Sequence, residues 1–549
     1  MGWAPHSSIK ARLEHWKRRT IPAFAARFAR DERGVTAVIF GIMFTFLFLV
    51  AAVAVDYSRA SKEIMEQQQA LDAAVLAASN DLGLPDQDTA GQARAVKFFE
   101  ANMPPGTTAH ITVALDDDAG EVTGTAQNAM PTTLFRSRVL GQARRDQINL
   151  GTSARVVKGN GTIEVALVVD NSGSMAGTKI AALKSAATNL VSVVFTGAEG
   201  TDKVKVGVVP FASSVNVGAI HADDAWMDSE AASSIHSENF IQTKSRFDLF
   251  SDLGENWGGC VEVRPAPYDL TDAVPSTSFP DTKFVPMFSP DEPDDANADA
   301  ANVSHYPNNY ISDYGGTCPV PTQVCLVFNK KKNKCTSYGP APLPVADAQE
   351  RVCKYSGATP GADSGPNYSC TTPAILPLTQ TKTTVDDAIT ALVASGNTNI
   401  GEGTMWGWRV LSPSAPFTDG RAYSDSENKK ILVIMTDGDN TYSSASNHNK
   451  SRYGAFGYGA KHRLGTTYTS TAYAETMDAK LTTSCTNAKA MHITVYTVAF
   501  GTGVSPETLA LLNSCATDPD HAFIAASGNA LIQAFENIGK DIARLRIAG

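Results

Sequence analysis

The run Val165-Ala166-Leu167-Val168-Val169-Asp170-Asn171-Ser172-Gly173-Ser174-Met175 constrains the fold more than any other segment. A β-branched apolar stretch stops abruptly at three oxygen-bearing side chains in alternate positions. Apart from Glu164 near its start, Ile163 to Val169 is apolar, the pattern of a strand covered on both faces in a parallel sheet. Ligands of such sheets gather at the carboxyl ends of the strands, where this loop begins. Gly177 and Thr178 follow. Lys179 to Phe195 then has helical spacing, with Ile180, Leu183, Ala187, Leu190, Val191 and Val194 on the apolar side. Asp170, Ser172 and Ser174 therefore form a candidate ligand set for a hard divalent cation, since a carboxylate and two hydroxyls suit an ion that keeps part of its water.

Two later segments extend the set. Gly396-Asn397-Thr398-Asn399-Ile400-Gly401 supplies Thr398 in a Gly-rich loop, and Val433-Ile434-Met435-Thr436-Asp437-Gly438 supplies Asp437 at the end of a second apolar strand. On these five positions the chain resembles the von Willebrand factor type A domain, whose metal-ion-dependent adhesion site draws ligands from three loops. The resemblance implies Asp170, Ser172 and Ser174 as the first loop, Thr398 as the second and Asp437 as the third. It also implies a divalent cation, Mg2+ first with Mn2+ or Ca2+ as alternatives, and a protein partner that completes the shell with an Asp or Glu. Strands at Lys203–Phe211, Lys430–Met435, Ile493–Phe500 and Ala522–Ala525 alternate with helical patterns at Thr384–Ala394, Ala472–Ala490, Pro506–Leu512 and Asn529–Arg544. That alternation predicts an α/β fold with a doubly wound, mostly parallel sheet.

A chain of 549 residues exceeds one compact core, and its formal charge of -10 offers no basic face for nucleic acid. Val35 to Val55 is uncharged and apolar, long enough at about 1.5 Å per residue to cross a hydrocarbon layer about 30 Å thick. Lys10, Arg12, Lys17, Arg18, Arg19, Arg27, Arg30 and Arg33 precede it, which by the positive-inside rule puts residues 1–34 in the cytoplasm and the bulk of the chain outside. A cleaved signal is the rival, but the stretch exceeds a signal core and no convincing small-x-small site follows. Ser58 to Asn80 continues as helix, and His110–Leu115, Glu121–Ala126 and Ile148–Val157 read as strands. The expected division is a basic tail at 1–34, a transmembrane helix at 35–55, an extended helix with a small β region at 56–158, and a type A domain at 159–549 interrupted by an insertion at about 212–383.

All eight cysteines, Cys260, Cys318, Cys325, Cys335, Cys353, Cys370, Cys485 and Cys515, fall on the expected exterior side, which favours disulfides over zinc. Pairing is open, with Cys485–Cys515 suggested by their neighbouring helical segments. Six lie in the insertion, whose Pro, Asp, Asn, Ser and Tyr content predicts a bridged surface excursion rather than core. Lys330-Lys331-Lys332 reads as a solvated hairpin tip, with contact to an anionic polymer as the other reading. Tyr442 to Thr471 is expected as a long exposed loop, and Trp406 and Trp408 as either packed residues or anchors of a binding face.

Arg33-Gly34-Val35-Thr36-Ala37-Val38-Ile39-Phe40, Val55-Asp56-Tyr57-Ser58-Arg59 and Leu71-Asp72-Ala73-Ala74-Val75-Leu76-Ala77-Ala78 resemble the TadG-like proteins of tight-adherence (Flp) pilus systems, as do Gly401 to Arg409 and Met435 to Thr441. The resemblance implies a single-pass protein of the bacterial inner membrane, its bulk periplasmic or displayed at the surface, that serves pilus assembly or adhesion through the cation. The position after Gly34 where prepilin processing expects an acid holds Ile39 or Phe40 instead. A structural pilus subunit assembling through its N-terminal helix is the alternative. A metal-dependent hydrolase lacks a base, since no histidine neighbours the ligand positions in the sequence and no His-Glu-x-x-His, Walker or Gly-x-Ser-x-Gly motif occurs.

Overall fold

The computed structural model describes residues 35–81, 87–104, 109–116, 120–133, 146–157, 161–294, 306–319, 322–361 and 365–548. The expected basic tail, 1–34, lies outside them, as do residues 117–119 between the strands expected at His110–Leu115 and Glu121–Ala126. The chain divides into two compact units, Met1–Lys158 and Gly159–Gly549.

In the first unit, helix α1 (Val35–Ala78) has two halves. Its first half exposes Val38, Phe40, Phe44, Phe46 and Leu47, and it contains a stretch long and apolar enough to cross a membrane. The second half lies on an antiparallel sheet of β1 (Ala109–Asp116), β2 (Glu121–Pro131) and β3 (Gln147–Val157), joined by a second helix, α2 (Gln87–Asn102). Leu71, Ala74 and Val75 pack against Val113, Val122 and Ala126 of the sheet and Phe99 of α2. Small residues bring the elements close: a Cβ at Gly124 would come within 2.3 Å of Val75 Cγ2. Gln67 Nε2 donates to the Ala126 carbonyl at 2.8 Å, fixing the helix on the strand. The strands thus share one core with the helix, and α2 adds to the extended helix and small β region expected there.

The second unit is built on β4 (Thr162–Asp170), α3 (Thr178–Val194), β5 (Val204–Phe211), β6 (Val215–Asn216), α4 (Arg246–Leu253), β7 (Cys260–Val261), β8 (Gln323–Asn329), β9 (Lys334–Pro340), α5 (Val345–Glu350), β10 (Leu376–Thr379), α6 (Lys382–Thr390), α7 (Ile400–Leu411), β11 (Asn428–Thr436), α8 (Ser470–Ala490), β12 (Thr494–Phe500), α9 (Pro506–Cys515), β13 (Ala522–Ala525) and α10 (Gly528–Ala548). The main sheet runs β13-β12-β11-β4-β5-β6-β7, with β10 also on β5. The pairs from β13 to β5 are parallel, and β6, β7 and β10 add antiparallel pairs at one end. Period-2 alternation sends Val165, Leu167 and Val433 toward α3, α6 and α10, and Ala166, Val168 and Leu432 toward α7 and α8. The predicted α/β, doubly wound, mostly parallel architecture is therefore present.

Two expectations fail. The insertion is not a surface excursion: Trp226, Met227, Phe250, Phe284 and Phe288 belong to the same apolar cluster as Trp406 of α7 and Leu432 of β11. Apart from Leu249, Phe250 and Leu253 on the short helix α4, its apolar residues are scattered without helix or strand period, so composition hid a core held largely by irregular backbone. Buried guanidiniums satisfy that backbone: Arg264 donates to the carbonyls of Thr271, Ala273 and Thr282, and Arg246 pairs with Glu262 at 2.6 Å. Nor is Tyr442–Thr471 an exposed loop, since Tyr442, Tyr453, Phe456, Tyr458 and Leu464 are buried. Tyrosine in a Ser- and Gly-rich stretch signalled packing here rather than recognition. Trp406 and Trp408 are also buried, so neither is a surface anchor.

Disulfides join Cys260–Cys370, Cys318–Cys353, Cys325–Cys335 and Cys485–Cys515. The last is the suggested pair, on α8 and α9. Lys330 to Lys332 form the exposed tip of the β8–β9 hairpin.

Helix α7 follows the Thr398 loop and carries Gly401, Gly403 and Gly407, poor helix formers that local propensity does not explain. Packing does. A Cβ on Gly403 would lie 2.6 Å from Phe211 Cγ. Gly403→Ala is expected to destabilise the protein by about 1–3 kcal/mol through overpacking, despite its better helix propensity; a raised melting temperature would contradict this.

Candidate metal centre

β4 and β11 are neighbours at the middle of the sheet, and their carboxyl ends put Asp170 and Asp437 side by side although 266 residues separate Asp170 from Thr436. Asp170 is fully buried. Its Oδ1 accepts the Ser172 amide at 2.7 Å and its Oδ2 the Thr436 hydroxyl at 2.7 Å. Burial pushes its carboxyl up to about 6; the Ser172 and Thr436 hydrogen bonds oppose the rise, and the nearby Asp437 charge adds to it.

The hydroxyls continue the chain of contacts. Ser172 Oγ and Ser174 Oγ are 2.8 Å apart, and Ser174 Oγ donates to Asp437 Oδ1 at 2.6 Å. Lys179, in the first turn of α3, puts its ammonium 2.5 Å from Asp437 Oδ2. Four predicted side chains, Asp170, Ser172, Ser174 and Asp437, thus belong to one hydrogen-bonded cluster.

The second loop reaches the cluster through its backbone. Gly173 N donates to Gly396 O at 2.9 Å, and Ser395 N to Asn171 O at 2.7 Å. Gly396 has φ +85°, a left-handed conformation that favours glycine, and a Cβ there would meet Ser213 Oγ and Thr371 Oγ1 at 3.0 Å each. Thr398 is buried; its amide donates to Thr441 Oγ1, its carbonyl accepts the Thr441 amide, and Ile400 N donates to Asn440 Oδ1. The loop is pinned to the residues just after Asp437. Asn399 then caps α7, its side chain accepting from Glu402 N.

Sequence reasoning missed Thr436, Lys179, Asn440 and Thr441. In the sequence nothing marks Thr436 or Thr441 apart from neighbouring Asp437, and Lys179 is one lysine at the start of a helical stretch. Among the described residues no group of three or more His, Cys, Asp or Glu side chains is placed to hold a metal. A cation at this cluster must therefore use hydroxyls beside two carboxylates, an all-oxygen donor set that fits a hard divalent ion.

Residues 34–92, spanning α1 and the start of α2, match the family described as "Putative Flp pilus-assembly TadE/G-like". The N-terminal segment is TadE/G-like. Solved structures similar to the chain are pilus adhesins and von Willebrand factor A domains. The pilus adhesin SpaC from Lactobacillus rhamnosus GG, in its open conformation, is 13% identical with TM-score 0.31 and covers 79% of this chain, which spans only 34% of SpaC. The von Willebrand factor domain of the type V pili tip protein Mfa5 from Porphyromonas gingivalis is 11% identical with TM-score 0.30, over 70% of this chain and 95% of that one. Proximal thread matrix protein 1 from the mussel byssus, with a zinc-occupied MIDAS motif, is 13% identical with TM-score 0.27, over 70% of this chain and 47% of that one. No curated protein matches the chain.

Proposed function

We propose that this TadE/G-like chain is a membrane-anchored protein of a Flp pilus system whose second unit captures a protein partner through a divalent cation. Asp170, Ser172, Ser174, Thr398 and Asp437 hold the ion, Mg2+ first, with Mn2+ or Ca2+ as substitutes, and the partner supplies an Asp or Glu carboxylate. The observation that carries the proposal is the cluster of carboxylate and hydroxyl side chains where β4 and β11 end side by side. Thr436 and the Ser172 amide orient Asp170, and the pinned second loop presents Thr398. Binding is favoured over catalysis because Ser172 and Ser174 hydrogen-bond each other and a carboxylate, and among the described residues no imidazole joins this network to serve as base. In this reading α1 spans the inner membrane with residues 1–34 in the cytoplasm, and the four disulfides suit an oxidising exterior.

Titrating Mg2+, Mn2+ and Ca2+ into the full detergent-solubilised chain should give saturable binding to one site, and chelation should release an envelope partner captured on it. A flat titration with all three ions would overturn the proposal. A second reading, a pilus-machinery subunit that assembles through α1, is favoured by the exposed apolar first half of that helix. It predicts chelator-resistant oligomers instead.

A further inference from the structure

Asp437 has both carboxylate oxygens engaged: Oδ1 accepts from Ser174 Oγ and Oδ2 from the Lys179 ammonium. Lys179 sits in the first turn of α3, where the helix dipole disfavours a cation. Its side chain is about a third exposed, whereas that of Asp437 is fully buried. Its near neighbours at the rim include Gly501, the loop glycine whose Cβ position is 3.8 Å from the Lys179 Nζ. Among the described residues, Asp437 is the carboxylate that pairs with this ammonium.

We propose that Lys179 is an internal counter-cation of Asp437 that a divalent ion displaces, and that the released ammonium then pairs with the partner's carboxylate. This rests on the cation reading above and adds a role for a residue outside the five ligands. Charge supports it. Asp170 and Asp437 carry two negative charges, which a divalent ion cancels; Lys179 then leaves one positive charge at the mouth, and an incoming Asp or Glu returns the site to neutrality. The lysine therefore lowers cation affinity while no partner is bound and raises the affinity of the cation-loaded site for an acid. Its four-carbon stem lets the ammonium move from a buried oxygen to the rim without moving the backbone.

The test uses the full chain in detergent. Lys179→Met should bind Mn2+ or Mg2+ at least roughly fivefold more tightly than the unsubstituted chain, because a charge-assisted contact no longer competes. Lys179→Arg, which keeps the charge, should show no such gain. Amine acylation mapped by mass spectrometry should label Lys179 faster when the cation is present, while Lys330 at the β8–β9 tip keeps a constant rate. Equal cation affinities for the unsubstituted chain and Lys179→Met, or labelling indifferent to cation, would overturn the role of Lys179 and leave the metal centre standing. No cation binding to either chain, with both folded by circular dichroism, would overturn the metal centre itself.

Discussion

Asp170→Ala is expected to weaken divalent cation binding at least about a hundredfold, to the edge of detection by calorimetry, while the protein stays folded. Asp170 is at the centre of the cluster, and alanine removes the charged ligand that the proposal assigns there together with the acceptor of the Ser172 and Thr436 hydrogen bonds. Stability should respond in the other direction or hardly at all. A buried carboxylate close to Asp437 is held against both desolvation and like-charge repulsion, so the cation-free variant is expected to melt within a few degrees of the unsubstituted chain or above it. Loss of binding with retained stability separates a ligand from a fold determinant. Collapse of the fold, or undiminished binding, would count against the assignment.

The largest stability effect is expected at Glu164. It is buried on β4 in register with Lys430 on β11, and Lys430 Nζ reaches its Oε2 at 2.6 Å. Its carboxylate also accepts from the Arg421 amide and from Asn428 Nδ2. Glu164→Met strands the Arg421 amide and Asn428 Nδ2, leaves the Lys430 ammonium only the Leu411 carbonyl, and is expected to cost about 3–5 kcal/mol in denaturant unfolding with disulfides intact, because it leaves an uncompensated buried charge. Glu164→Met/Lys430→Met should recover most of that loss. The pH dependence follows from the lysine. Burial already lowers its pKa from the ordinary value, with the Glu164 contacts opposing that shift. Without Glu164 it falls further below the unfolded value. The cost is then complete below the folded pKa and fades as pH rises toward the unfolded one, so the deficit of Glu164→Met should shrink as pH rises from neutrality toward the ordinary lysine range. A deficit independent of pH would point to lost hydrogen bonds rather than charge.

The site was legible where chemistry is local in sequence. Asp170, Ser172 and Ser174 lie within five residues, and strand periodicity marks the ends of β4 and β11; these three side chains and Asp437 lie in one hydrogen-bonded cluster. Lys179 was not legible, because a lysine five residues past Ser174 says nothing about which acid it meets until β11 is placed beside β4. The insertion was misread for a related reason. Trp226, Phe284 and Phe288 stand in no regular period, and what buries them is a backbone tied by Arg246, Arg264 and the Cys260–Cys370 bridge rather than by helix or strand ladders. Periodicity reports elements; it is silent about cores made of loops.

The central place of β4 has a consequence in time. A ribosome delivers β4 early, yet the residues that flank it on the β11 side arrive 266 positions later, the separation between Glu164 and Lys430. At about 5–20 residues per second that delay is on the order of ten to fifty seconds. Throughout it, one apolar strand edge has no native neighbour, a template for pairing with other nascent chains. The Cys260–Cys370 loop can oxidise before β11 exists, whereas the Cys485–Cys515 bridge cannot. Assembly of the cluster around Asp170 is therefore a late event, and yields of active protein should respond more to what shields β4 during emergence than to the final stability of the sheet.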